Sequence, residues 1–200
     1  MTDTESKISK CIQAKPKGTL LFPDDFSHLG TSTAIRKALQ RLKEKGLIRN
    51  VTHGIYVRPK KSALIGEVMP TPEEVAHGIA KRDKIKIVPT GVYALNTLGL
   101  STQVPLNLVF LTDGAPRTVK VGKRTIKFKR TTPKNLLAKG KISAMVIQAL
   151  REIGKDKATP NEIYKIVALL KQEDTKHLEH DISLAPAWVK EIMKQAIDNE

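Results

Sequence analysis

The sequence lacks several features that define common protein classes. Its single cysteine, Cys11, excludes an intrachain disulfide framework and a cysteine-rich zinc site. Aromatic residues make up only 4% of the 200 residues, but hydrophobic residues make up 40%, which is enough for a folded core. No run approaches the roughly 20 apolar residues of a membrane helix, and no apolar segment follows a basic N-terminus. We therefore expect a folded cytoplasmic protein with no membrane partner.

Acidic residues are also scarce, and their shortage is uneven along the chain. The sequence has 35 Lys and Arg against 20 Asp and Glu, a net charge of +15. Residues 1–62 carry 13 basic and 5 acidic side chains, and residues 63–150 carry 14 and 5, whereas residues 151–200 carry 8 and 10. Such a charge predicts an anionic partner, most commonly nucleic acid, bound within the first 150 residues.

Signatures of enzymatic chemistry are missing too. The sequence has no Walker loop and no GxGxxG motif after a strand. Asp113 ends a predicted strand, as a metal ligand of a nuclease might, but no carboxylate occurs in residues 114–141, and a metal-dependent nuclease needs a second acid. The histidines and aspartates of residues 174–181 resemble a metal cluster only superficially, and we expect a hydrated surface loop there. We predict a protein that is not an enzyme and that has no metal and no cofactor.

Three prolines and a glycine between Pro59 and Pro72 interrupt any periodic pattern of apolar residues, which indicates a domain boundary near residue 65. We therefore divide the chain into residues 1–62 and 63–200. The predicted fold class is α+β, with an N-terminal winged helix-turn-helix followed by a mixed α+β domain that has a small sheet and C-terminal helices.

A capped, basic third helix carries the prediction for the first domain. After two shorter helices, Thr31 to Thr33 offer an N-cap, Gly46 ends the helix, and an apolar stripe recurs at helical spacing. Two β-prone runs around a turn at His53 and Gly54 then predict a hairpin. Helix, helix, basic helix and hairpin is the element order of a winged helix-turn-helix. The residues predicted to contact double-stranded DNA are Thr31, Ser32, Thr33, Arg36, Lys37, Gln40, Arg41, Arg49, Asn50, Thr52, His53 and Arg58.

Within this set, Arg36 and Gln40 are expected to contact bases, while Lys37, Arg41 and Arg49 are expected to hold phosphates. RNA binding, and a winged helix used only for protein interaction, remain alternatives for this domain.

The second domain is predicted to contain a hairpin with one basic face, because apolar and basic residues alternate over Val119 to Lys129. Its candidate partner-binding residues are Lys120, Lys123, Arg124, Lys127 and Lys129. Three helices are expected to follow, with Tyr164 and Trp188 in the core.

Two blocks of the sequence resemble a known family. The first is LLFPDDFSHLGTSTAIRKALQRLKEKGLIRNVTHGIYVRP, and the second is TGVYALNTLGLSTQVPLNLVFLTDG with the basic hairpin after it. Together they are similar to antitoxins of the abortive-infection E class, the type IV toxin–antitoxin systems, over about residues 5 to 150.

The resemblance implies a bacterial protein with two roles. It would bind inverted repeats in its own promoter and repress the operon, and it would counteract a toxin that resembles a nucleotidyltransferase. A winged-helix regulator with a ligand- or partner-sensing second domain remains the alternative, followed by a DNA nuclease. The oligomeric state is open, and the resemblance assigns no role to the C-terminal helices.

Overall fold

The chain folds into two compact units, each with its own helices and sheet, and the predicted α+β class is confirmed. The computed structural model describes residues 3–64 and 66–198. The first unit is Met1–Gly78 with Lys120–Lys123, and the second is Ile79–Val119 with Arg124–Glu200. The boundary expected at residue 62 lies earlier than this division, which falls inside a helix.

The first unit alternates helices with short strands in the predicted order. Its helices are α1 at Asp3–Ala14, a 3-10 helix at Pro23–Leu29 and α2 at Ser32–Glu44, and its first strands are β1 at Leu20–Leu21, β2 at Arg49–Thr52 and β3 at Ile55–Val57. The strands form an antiparallel sheet in the order β1-β3-β2.

The apolar stripe of α2 forms the centre of this unit's core. Ile35, Ala38, Leu39 and Leu42 are all buried, as predicted. They pack with apolar side chains from α1, β1, the 3-10 helix and the residue before β2, which are Ile8, Ile12, Leu21, Phe26 and Ile48. The opposite face of α2 therefore remains at the surface.

The segment between Pro59 and Pro72, where the sequence predicts a domain boundary, contains a second hairpin. Strands β4 at Lys60–Ser62 and β5 at Gly66–Val68 pair in antiparallel register, with Lys61 opposite Glu67. The prolines of this segment lie outside the two strands, where they do not interrupt pairing.

The second unit combines a four-stranded sheet with helices. Helix α3 at Pro72–Asp83 contains the boundary between the units, and the sheet follows in the order β6-β7-β9-β8. Its strands and the short helix α4 are β6 at Ile87–Thr90, α4 at Val92–Thr97, β7 at Asn107–Thr112, β8 at Arg117–Val121 and β9 at Arg124–Arg130.

Strand pairing in this sheet explains why apolar and basic residues alternate along the basic hairpin. Strand β7 pairs antiparallel with β6 and parallel with β9. In β9, Ile126 and Phe128 are buried while Lys127 and Lys129 are exposed, as the alternating pattern predicts.

A short 3-10 helix at Pro133–Leu136 and four α-helices of the described chain follow the sheet, where the sequence predicts three helices: α5 at Lys141–Ile153, α6 at Pro160–Leu170, α7 at Thr175–Leu184 and α8 at Ala187–Lys194. The surface loop expected at residues 174–181 is instead mostly α7, whose Leu178 and Ile182 join the helical core. Its Asp181 is fully buried. Tyr164, expected in the core, is 76% exposed, whereas Trp188 packs against the core. Within the described residues, no helix is long and apolar enough to cross a membrane.

Candidate nucleic-acid interface

The N-terminus of α2 lies at the surface of the first unit. Thr31 is the N-cap, and its side chain accepts a hydrogen bond from the backbone N–H of Ala34 at 3.3 Å. Thr31, Ser32 and Thr33 are exposed. Free N–H groups and hydroxyls at a helix N-terminus can bind an anionic oxygen such as that of a phosphate.

The exposed face of α2 carries the next predicted residues. Arg36 and Lys37 are exposed, and we find no hydrogen bond or ion pair of either side chain to the described residues. Gln40 is exposed and donates to Glu44 on the same helix at 2.9 Å. The two cations are therefore available to an external anion.

Arg41 is held differently from its neighbours on α2. Its Nη1 lies 3.5 Å from Oε2 of Glu5 on α1, while Nζ of Lys45 lies 2.5 Å from Oε1. The hydrogen bond from Lys45, opposed by burial and aided by Arg41, holds the pKa of the Glu5 carboxyl below its ordinary value. Arg41 therefore joins α1 to α2 as well as facing solvent.

The turn of the first hairpin has the predicted geometry. Gly54 has φ of 70°, and His53 beside it is exposed. Asn50 donates from its side chain to the carbonyl of Thr52 at 2.9 Å, at a point where the register of the two strands shifts. Asn50 is thus exposed but also stabilises the turn.

Two predicted arginines have partners within the first unit. Arg58 is half-buried and donates to the backbone carbonyl of Lys15, so its position is fixed by the loop after α1. Arg49 lies with Nε at 3.0 Å from Oε2 of Glu67 on β5. The roles of Glu5 and Glu67 could not be predicted from the sequence, because ion pairs between distant residues leave no local pattern.

The second set of predicted cations is divided between the two units. Lys127 and Lys129 are exposed on β9 in the second unit, and Arg124 is half-buried there. Lys120 and Lys123 are exposed, but the tip of the hairpin is assigned to the first unit. Lys127 and Lys129 therefore form one exposed pair of cations on β9.

The second unit also contains a cleft of about 520 Å³ beside the end of β6. Its lining includes Gly91, Tyr93, Leu106, Lys129 and Glu152. The volume and the mixed apolar and charged lining suit a small molecule.

The carboxylates considered as metal ligands have structural partners. Asp113 accepts a hydrogen bond from the backbone N–H of Lys86 at 2.9 Å. Asp181 lies 2.8 Å from Nδ1 of His180 and accepts from Ser143. Among the residues that the structure describes, no group of three His, Cys, Asp or Glu could hold a metal ion.

No curated protein matches the chain. Among solved structures, the chain is similar to the crystal structure of the RV2827C protein from Mycobacterium tuberculosis, with a TM-score of 0.44 and 10% identity. That alignment covers 96% of this chain and 81% of the other. Residues 7–178 match a family of unknown function, DUF6088, and the chain belongs to that family.

Proposed function

We propose that the first unit is a winged helix-turn-helix that binds double-stranded DNA, with α2 in the major groove and the β2–β3 hairpin along the backbone. The observation that carries this proposal is the exposed face of α2. Its apolar stripe is fully buried, and its opposite face presents Arg36 and Lys37 without a partner among the described residues. An exposed helix face of this charge suits the major groove of DNA.

The predicted DNA-contacting side chains differ in the part of the duplex that each can contact. Arg36 and Gln40 carry donors for base edges, while Lys37 and the N-terminus of α2 suit phosphates. Arg58 supports the hairpin from within and is not assigned a DNA contact. Asn50 supports the turn, and His53 is free to approach the backbone of the duplex.

On this basis, the chain represses its own operon by binding inverted repeats in the promoter, and it counteracts a toxin that resembles a nucleotidyltransferase. The toxin-directed role rests on the similarity to abortive-infection E antitoxins. The exposed lysines of β9 supply the surface for it, since complementary charge speeds and orients association with an acidic partner.

The experiment that tests this function combines a reporter with a toxicity assay in bacteria. The full chain should repress a reporter driven by the promoter of its own operon, and should restore growth when the neighbouring toxin gene is induced. Absence of repression together with absence of binding to the promoter fragment would contradict the DNA-binding proposal. Repression without restored growth would contradict only the antitoxin role.

The cleft of the second unit favours one second candidate, a regulator whose DNA affinity responds to a small molecule. Lys129 and Glu152 offer one charge of each sign beside apolar side chains. If the operon contains no toxin gene, and a metabolite both raises the melting temperature and changes promoter affinity, this candidate is favoured over the antitoxin.

A further inference from the structure

The second hairpin places a charged cluster beside the DNA-binding hairpin. Glu67 on β5 lies 3.0 Å from the guanidinium of Arg49 on β2. Lys61 is the direct cross-strand partner of Glu67, so both side chains leave the same face of the hairpin about 5 Å apart at Cβ. Glu67 therefore pairs with Arg49, and Lys61 lies across from it on the neighbouring strand.

The position of Arg49 is constrained from its other side. Its guanidinium packs over Gly46 after α2, where an added Cβ would lie 3.4 Å from Nη1. Arg49 and Glu67 nevertheless remain partly open to solvent, with side chains 42% and 32% exposed. Lys61 is exposed, and we find no ion pair of it in the described part of the chain. A larger anion can therefore reach the same two cations.

We infer that Arg49 and Lys61 hold one phosphate of the DNA backbone, and that Glu67 occupies the place of that phosphate in the free protein. The β4–β5 hairpin is then a second DNA-contacting element. Both a carboxylate and a phosphate present oxygens that accept paired hydrogen bonds from a guanidinium. On binding, Arg49 exchanges Glu67 for a phosphate, and Glu67 weakens the complex by competition. This inference rests on the proposed DNA binding.

The same strand supplies a matched control. Lys60 precedes Lys61, and alternation along a strand sends its side chain to the opposite face. There its stem runs along Gly18, where an added Cβ would lie 3.8 Å from Cδ. Lys60→Ala and Lys61→Ala thus remove the same charge from neighbouring positions on opposite faces of one hairpin.

The test measures binding of the full chain to a short, mixed-sequence DNA duplex by fluorescence anisotropy over a series of salt concentrations. Glu67→Gln should tighten binding by about two- to fivefold, the effect expected when a partly exposed ion pair no longer competes. Asp3→Asn, which makes the same charge change at an exposed pair with Lys7, should leave affinity near wild type. Lys61→Ala should lower the salt slope by about one unit, and Lys60→Ala should not.

A double-variant cycle isolates the competition. In an Arg49→Ala background, Glu67→Gln should give no gain in affinity, because the cation that Glu67 masks is absent. An undiminished gain in that background, a Glu67→Gln variant that binds like wild type, or equal effects of Lys60→Ala and Lys61→Ala would overturn the inference. If these results occur while Arg36→Ala still weakens binding, the proposed DNA function survives. If wild type fails to bind the duplex at all, both are overturned.

Discussion

Glu5 on α1 and Arg41 on α2 lie 3.5 Å apart, and this pair links the first helix of the chain to the proposed recognition helix. Lys45 completes the link at 2.5 Å from the same carboxylate. Glu5 is buried, whereas its two partners remain about half exposed. The orientation of α2 is therefore fixed at its C-terminal half by a carboxylate that lies far away in the sequence.

Replacing Glu5 with Gln should lower the melting temperature of the protein, because Lys45 and Arg41 lose the charge that they share. Asp3→Asn is the matched control on the same helix, since Asp3 makes an exposed pair with Lys7 that contributes little to stability. Thermal unfolding followed by circular dichroism measures both variants. Equal melting temperatures for the two would mean that Glu5 does not hold α1 to α2.

Gly54 should tolerate Asn better than Val, because its φ of 70° is a left-handed conformation that Asn adopts at small cost and β-branched residues avoid. An added Cβ at Gly54 meets no atom within 4 Å, so the backbone conformation alone is tested. Gly54→Val should weaken DNA binding while most of the fold remains, and Gly54→Asn should bind nearly as wild type. If both variants bind DNA as well as the wild-type protein does, the hairpin does not contact DNA.

Asp181 should make the second unit less stable in acid. Burial raises the pKa of this carboxyl, but hydrogen bonds from Ser143, His180 and the backbone N–H groups of Lys139 and Gly140 outweigh it and hold the pKa below 3.8. The stabilisation is complete above pH 3.8, the ordinary value, and is lost as the pH falls through the lower value of the folded state.

Asp181→Asn should therefore cost about 1.5–3 kcal/mol of unfolding free energy near neutral pH, the typical loss for hydrogen bonds to a charged group. Its cost should shrink in acid, because below pH 3.8 the carboxyl of the unfolded chain takes up a proton and the folded state loses part of its advantage. Urea unfolding at about pH 7 and about pH 3 measures the difference. A cost that is the same at both values would show that the charge of Asp181 does not contribute to stability.

Charge reversal on β9 should separate the two proposed roles. Lys127→Glu with Lys129→Glu changes two exposed side chains that flank the buried Phe128, so the fold should remain. Protection from the toxin should fall more than repression of the promoter. If repression is lost while toxin control survives, the β9 lysines belong to the DNA interface.

Local signals predicted much of the fold. Thr31 caps α2, and after its last turn Leu47 donates to the carbonyl of Leu42 across Gly46, as expected of a glycine-ended helix. Thr159 and Glu162 form a capping box, a sequence signature of a helix start, at the beginning of α6. Each of these features depends on a few consecutive residues, so the sequence alone could predict it.

Features that depend on residues far apart in the sequence could not be predicted in this way. Arg58 reaches a carbonyl 43 residues away, and Arg41 reaches a carboxylate 36 residues away. The sequence of α7 is polar and did not indicate a helix. This helix is stabilised by the burial of Leu178 and by Asp181, which accepts a hydrogen bond from the backbone N–H of Gly140 at the start of α5. The sequence therefore predicted the cations of the candidate site, but it did not predict the acidic residues that pair with some of them.

The most direct test of the central claim compares Arg36→Ala, Lys37→Ala and wild type on the operon's promoter fragment and on a scrambled duplex across a salt series. Arg36→Ala should cost about 1–3 kcal/mol of binding on the promoter and reduce its preference over the scrambled duplex. Lys37→Ala should weaken binding to both duplexes alike and lower the salt slope by about one unit. Lys176→Ala, an exposed lysine on α7, is the charge control. Wild-type affinity, preference and salt slope in both α2 variants would contradict the claim that the first unit binds DNA through α2.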